Sequence, residues 1–195
     1  MPHVVSPEDD RIWTVEELAA LPDDGPRYEL LHGELLLMPS PTSPHQRVAF
    51  ELAYLLGTWC RAVGGWDVRA PASVPIGRTT QLEPDVALYA VKRHAAQDWA
   101  QLPVPALVIE VLSPSNRRID RHRKRPAYLA HGVGEVWTVD VDARFIERWT
   151  AASDFPLLER QSFSWAPVAG VTPLEVAFEE CFGPPPAPDT DDRRA

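Results

Sequence analysis

Residues 106–112 read ALVIEVL, a continuous apolar run broken by one carboxylate, Glu110. A short run of β-branched and aliphatic residues is how a central strand covered on both faces looks. Burying an ionised carboxylate there costs several kcal/mol unless it is paired or bound to a metal. Either strand alternation turns Glu110 to a solvated face, or Glu110 belongs to a site. Asp85, at the start of another apolar run in PDVALYA (84–90), poses the same question.

Upstream of this strand, Thr14 to Glu17 spell T-x-x-E, the capping-box pattern, which predicts a short helix from Val15 to about Ala20, ended by Pro22. RYELL and ELLLM flank His32-Gly33 and predict strands at Arg27 to Leu31 and Glu34 to Met38, closed as a hairpin. Ser43-Pro44 reads as an N-cap and first helical residue. Apolar residues then recur at Val48, Leu52, Leu55, Leu56, Trp59 and Val63, a long amphipathic helix that stops at Gly64-Gly65. Trp66 to Val74 and Leu82 to Ala90 are expected as strands, and Val91 to Leu102 as a helix or loop.

Downstream, Asp120 to His131 is expected as a helix stopped by Gly132, with Pro126 requiring a late start or a kink. Strands at Glu135 to Val141 and Arg144 to Thr150 follow, and Leu157 to Ser162 adds a third. This order predicts an α/β fold with a mixed sheet flanked by helices. One domain over residues 1–182 is expected, with residues 183–195, Pro-rich and charged, as a disordered tail.

Apolar residues make up 45% of the 195 and charged ones 24%, the balance of a globular chain. No apolar run approaches the roughly 18 residues of a membrane span. MPHVVSPEDD (1–10) lacks both a basic and an apolar signal region, so a cytoplasmic location is expected. Cys60 and Cys181 stand apart with no metal-ligand spacing and are expected as buried thiols. The net charge of −9 opposes a phosphate backbone, so nucleic-acid binding would need a local basic patch or a bound cation. RRIDRHRKR (117–125) is such a patch: Arg117, Arg118, Arg121, Arg123 and Arg125 are candidate phosphate contacts. A charge run is more often a solvated helix face.

Asp85 and Glu110 on neighbouring strands would present hard oxygen ligands to Mg²⁺ or Mn²⁺. The bound ion would polarise a phosphodiester, activate water and offset the acidic charge of the chain. Lys124, one of two lysines against 17 arginines, is the candidate cation for charge developing at phosphorus. His45 and Glu34 are further polar candidates, each more ordinarily structural when taken alone.

Taken in order, RYELLHGELLLMPSPTSPHQR, LEPDVALY, LVIEVLSPSNRRIDRHRK and YLAHGVGEVWTVD resemble the Uma-two endonuclease family, a branch of the PD-(D/E)XK superfamily, over roughly Trp13 to Thr150. The resemblance implies a restriction-endonuclease-like fold and a Mg²⁺-dependent or Mn²⁺-dependent nuclease acting on DNA. Asp85 and Glu110 would be its metal ligands, and Glu34 and His45 would line its site. Leu112 stands where the superfamily motif has lysine, and Lys124 matches the lysine that this family carries on the following helix. A homodimer would suit cleavage of both strands. Two other readings stay open: a non-catalytic nucleic-acid-binding or protein-interaction module on the same fold, and a carboxylate-pair hydrolase of sugars, which leaves the basic segment unexplained.

Overall fold

The structure is a computed structural model and describes residues 11–22, 25, 27–92 and 98–184. Helix α1 (Val15–Ala19) starts in the expected capping box, with the Thr14 N–H donating to Glu17 Oε2 at 2.9 Å and the Glu17 N–H donating to Thr14 Oγ1. Strands β1 (Arg27–Leu31) and β2 (Glu34–Met38) form the expected hairpin. His32 and Gly33 both take positive φ there, the turn whose twist matches the flanking strands. Helix α2 (Ser43–Val63) begins one residue earlier than its cap assignment: Thr42, not Ser43, accepts the His45 N–H on its side chain.

The expected strands 66–74 and 82–90 each break in two. Prolines 71 and 84 have no N–H to donate to a ladder, and the chain changes sheet at these points. β3 (Asp67–Arg69) and β6 (Val86–Tyr89) pair in the main sheet. β4 (Val74–Pro75) and β5 (Gln81–Leu82) join the hairpin in a small antiparallel sheet of order β2-β1-β5-β4. Between β6 and β7, residues 93–97 lie outside the described residues, and Trp99–Gln101 form a single 3₁₀ turn.

ALVIEVL supplies the interior strand β7 (Leu107–Leu112), every residue of it buried. With β8 (Glu135–Asp140), β9 (Phe145–Trp149) and β10 (Leu157–Glu159) it completes a six-stranded sheet of order β10-β9-β8-β7-β6-β3. Only β7 and β8 run parallel, and the helical segment α3 (residues 117–130) is their crossover, as a parallel pair requires. Short strands β11 (Phe163–Trp165) and β12 (Leu174–Val176) and the helix Phe178–Phe182 were not legible beforehand, being too short to show a period. Cys60 and Cys181 are buried thiols. Residues 183–184 lie beside Arg144, which donates to both of their carbonyls, and the rest of the predicted tail lies outside the described residues. Among the described residues no helix is long and apolar enough to cross a membrane.

Two cores sandwich the main sheet. On one face Val48, Leu52, Leu56 and Trp59 of α2 pack against Val86, Leu88, Leu107, Ile109 and Val111. Each buried aliphatic side chain contributes about 1.5–3 kcal/mol relative to exposure. On the other face Ala127 and Tyr128 of α3 and Leu31, Leu36, Val74 and Leu82 of the small sheet cover Ala87, Tyr89, Val108 and Val136. Gly134, at the entry to β8, passes so close to β7 that a Cβ would stand 2.8 Å from the Ala106 carbonyl oxygen. Because the obstacle is backbone in the main sheet, Gly134→Ala is expected to lower stability by about 1–3 kcal/mol. Urea unfolding would measure this, and a change below about 0.5 kcal/mol would show that the sheet yields there without strain.

Candidate active site

Strand alternation decides where Glu110 points. Leu107, Ile109 and Val111 belong to the core under α2 and Val108 to the core under α3, so Glu110 shares the α3 side. That side is not solvated: α3 and the small sheet cover it, and Glu110 is 3% exposed. The β6–β7 ladder pairs Val86 with Ile109, so one further step sets Asp85 opposite Glu110. Asp85 is anchored there by the Val111 N–H, which donates to its Oδ2 at 2.8 Å, and it keeps an opening to solvent.

Lys124 reaches this point from the crossover helix. Its Nζ lies 2.8 Å from Glu110 Oε1, 3.0 Å from Glu29 and 3.4 Å from Asp120 Oδ1. The geometry depends on an irregularity in α3, which runs as α-helix over Arg117–Ile119 and Arg125–Ala130 but as a wider π-turn over Asp120–Lys124. There the Arg125 N–H donates to the Asp120 carbonyl, five residues back. Pro126 follows at the start of the last segment, where its missing N–H costs least. The expected helix 120–131 therefore begins earlier, at Arg117, and the π-turn accommodates its proline. Such bulges occur frequently at functional sites. Leu112, at the motif's usual lysine position, is buried, and an ammonium from α3 reaches the carboxylate instead.

Glu29, Glu110 and Asp120 thus surround one ammonium, and Asp85 lines the same pocket, four carboxylates to one lysine. Burial raises the Glu110 carboxyl well above the ordinary range; Lys124 opposes this, while Asp120, Glu29 and Asp85 reinforce it. Burial raises Glu29 and Asp120 in the same way, again against the pull of Lys124. For Lys124 burial alone would lower the ammonium, but Glu110, Glu29 and Asp120 hold it well above the usual lysine value. Tyr128 completes the cluster by donating its hydroxyl to Glu110 Oε1 at 2.8 Å. Neither Glu29 Oε2 nor Asp120 Oδ1 has a well-directed hydrogen bond, although the ammonium lies close to both.

Glu29, Asp85, Glu110, Asp120 and Lys124 line a pocket of about 40 Å³ together with His45, Ser113 and Asn116. That is room for about three waters, or for an ion that keeps part of its hydration shell. Hard oxygens, surplus negative charge and this volume fit Mg²⁺ or Mn²⁺, which typically takes one or two carboxylates and retains several waters. Among the described residues no group of three His, Cys, Asp or Glu side chains is arranged to hold a metal ion, so Asp85 and Glu110 would share the ion with water or substrate oxygens.

His45 is among the residues that line the pocket. Its Nε2 lies 3.3 Å from Asp85 Oδ2, and its buried Nδ1 has no hydrogen bond. Burial works to lower the imidazole, but the hydrogen bond and charge of Asp85 raise it above the ordinary value. Glu34 must be corrected. It sits at the turn end of the hairpin, exposed and paired with Arg123, while Glu29 on the same face of β1–β2 enters the pocket. The basic run is also largely committed within the chain. Arg117 reaches Asp140 and Asp142, Arg121 reaches Asp140 and Glu147, and Arg125 stacks 3.6 Å over Trp149. Arg118 is exposed, with no ion pair among the described residues. Glu29 and Asp120 could have been found beforehand: Glu29 is a carboxylate inside an apolar strand, as Glu110 is, and Asp120 stands four residues before Lys124.

The family model Uma2, described as "Putative restriction endonuclease", matches residues 15–168. A crystal structure of "a putative nuclease belonging to DUF820" from Anabaena variabilis superposes with a TM-score of 0.72, over 87% of this chain and 97% of that one. At 18% sequence identity this likeness shows the fold, which is the restriction-endonuclease-like α/β architecture. No curated protein matches the chain.

Proposed function

This chain belongs to the Uma2 family, and from that premise we propose that it is a Mg²⁺-dependent or Mn²⁺-dependent endonuclease that hydrolyses phosphodiester bonds in DNA. The observation that carries the reading is that Asp85, just beyond the β6–β7 ladder and anchored by the Val111 N–H, lines one pocket with Glu110, with the Lys124 ammonium 2.8 Å from Glu110. Asp85 and Glu110 would hold the ion, whose chemistry is to polarise the phosphate and lower the pKa of an attacking water.

The chain's own residues have separate tasks. Lys124 opposes the rise that burial imposes on the Glu110 carboxyl, and the Tyr128 hydroxyl orients it. Asp85 is oriented by the Val111 N–H and by His45. Lys124 places fixed positive charge beside the pocket, where it offsets negative charge developing on the phosphorane as water adds and the leaving oxygen departs. Arg27, at the mouth and half-exposed, and Arg118 are the guanidiniums best placed to meet phosphate. Arg117, Arg121, Arg123 and Arg125 chiefly hold α3 against the sheet and hairpin.

The direct test is titration of Mn²⁺ into the purified chain by calorimetry, compared with a variant carrying both Asp85→Ala and Glu110→Ala. Stoichiometric binding that is lost in the variant, together with DNA cleavage that stops in chelator, is the expected result. Cleavage that continues undiminished in chelator would overturn the metal-dependent reading.

A further inference from the structure

The catalytic pocket opens into a second, larger groove of about 600 Å³, and Arg27, Pro41, His45 and Asp85 line both. The far wall of this groove is the outer face of α2. Gln46, Phe50 and Tyr54 follow one another at i, i+4 spacing and share that face. An amphipathic helix ordinarily turns polar residues outward, yet Phe50 is 66% exposed and Tyr54 59%. Their rings lie within 17° of parallel with centroids 6.4 Å apart, leaving ring area open. Ala49, Ala53, Ala70 and Pro71 line the rest of the groove with small apolar groups.

We propose that this groove seats an unpaired nucleobase of the substrate, stacked on Phe50 and Tyr54, so that the chain acts on single-stranded or locally unpaired DNA. The inference rests on the reading of the adjoining pocket as the phosphodiester site. A volume of 600 Å³ falls within the size of small-molecule sites. Open aromatic faces bind any base whose own face is free, and a base inside a duplex has none. The Gln46 amide offers both a donor and an acceptor to a base edge. Because the two cavities share four residues, a phosphate at Asp85 and Glu110 has its neighbouring base at the groove. An independent observation favours the same substrate class: with Arg117, Arg121, Arg123 and Arg125 committed within the chain, only Arg118 of the five arginines in 117–125 is left from that segment to track a second duplex backbone.

The test is fluorescence anisotropy with a labelled single-stranded oligonucleotide and with the same sequence as a blunt duplex, using Ca²⁺ in place of Mg²⁺. Wild type is expected to bind the single strand at least about tenfold more tightly. The double variant Phe50→Ala, Tyr54→Ala should lose about tenfold or more on the single strand and little on the duplex. Phe50→Trp, Tyr54→Trp should retain binding, and circular dichroism would confirm that each variant is folded. Equal affinity for the two forms, no binding to either, or indifference to the alanine pair would overturn the inference. So would sedimentation showing that the alanine pair converts a dimer to monomers, since the aromatics would then cover a second copy. Metal-dependent cleavage without strand preference would remove this inference alone. Aromatic-dependent binding without cleavage would remove the nuclease reading and leave the base site.

Discussion

Asp85→Ala and Glu110→Ala should each reduce metal-stimulated DNA cleavage by about three orders of magnitude or more. A bound divalent ion contributes several kcal/mol of transition-state stabilisation, and each 1.36 kcal/mol is about a factor of ten in rate. Two carboxylates sharing one ion act as a unit, so the double variant should be little worse than either single one. Fold and activity separate best at Asp85: it is partly open to solvent, and its loss leaves the Val111 N–H without its acceptor and His45 Nε2 without its partner. That omission costs about 1–3 kcal/mol at most. The check is the initial rate of plasmid cleavage by folded, purified variants. Either variant working within tenfold of wild type would remove Asp85 and Glu110 from the centre.

Lys124→Met should have the largest effect on stability. Lys124 is 1% exposed and faces Glu29, Glu110 and Asp120, which are equally buried. Removing one member of a buried ion cluster leaves uncompensated charge and typically costs about 3–5 kcal/mol, a large part of a domain's net stability of about 5–15 kcal/mol. The penalty should depend on pH. Glu110, Glu29 and Asp120 already have carboxyls raised above their ordinary values, and loss of the ammonium raises them further. The folded variant then binds protons that the unfolded chain has released, so its stability falls as pH rises above the ordinary carboxyl value. Urea unfolding should therefore show a much larger deficit at pH 8 than at pH 5. A deficit equal at both would mean that lost packing rather than stranded charge is responsible. Adding Glu29→Gln should recover part of the loss at the higher pH.

The same lysine bears on the alternative to an enzyme. The case for a non-catalytic module rests on Leu112 occupying the motif's lysine position and on the acidic net charge. Lys124 against Glu110 removes the first motive, and a cation held by the surplus carboxylates would answer the second. A sugar hydrolase built on two carboxylates would act without a metal, so metal dependence of activity separates it from the nuclease.

Local features of the chain were legible because local physics sets them. The capping box at Thr14, the His32-Gly33 hairpin, the apolar stripe of α2 and the buried strand Leu107–Leu112 each follow from spacing within a few residues. Asp85 and Glu110 stood out for the same reason, as charges in apolar strands. Where reading failed, the deciding contact was distant. Glu29 and Glu34 are both carboxylates on one hairpin, and only the docking of α3 put Glu29 in the pocket and left Glu34 at its edge. RRIDRHRKR read as a free basic surface because its acidic partners Asp140, Asp142 and Glu147 lie about 20 residues on, across a parallel crossover.

The sequence alone therefore determined the elements with a clear local period, the central strand and the two carboxylates that do not belong in apolar strands. Tertiary structure decided which groups meet them. Lys124 and Glu29 are 95 residues apart in the chain, and what joins them is the register of β1, the height of α3 on the sheet and one π-turn that alters the helix's phase. Strand and helix periods are properties of consecutive residues. The relative placement of two elements is fixed only when their apolar faces pack together, and charge is then paired or stranded by that packing.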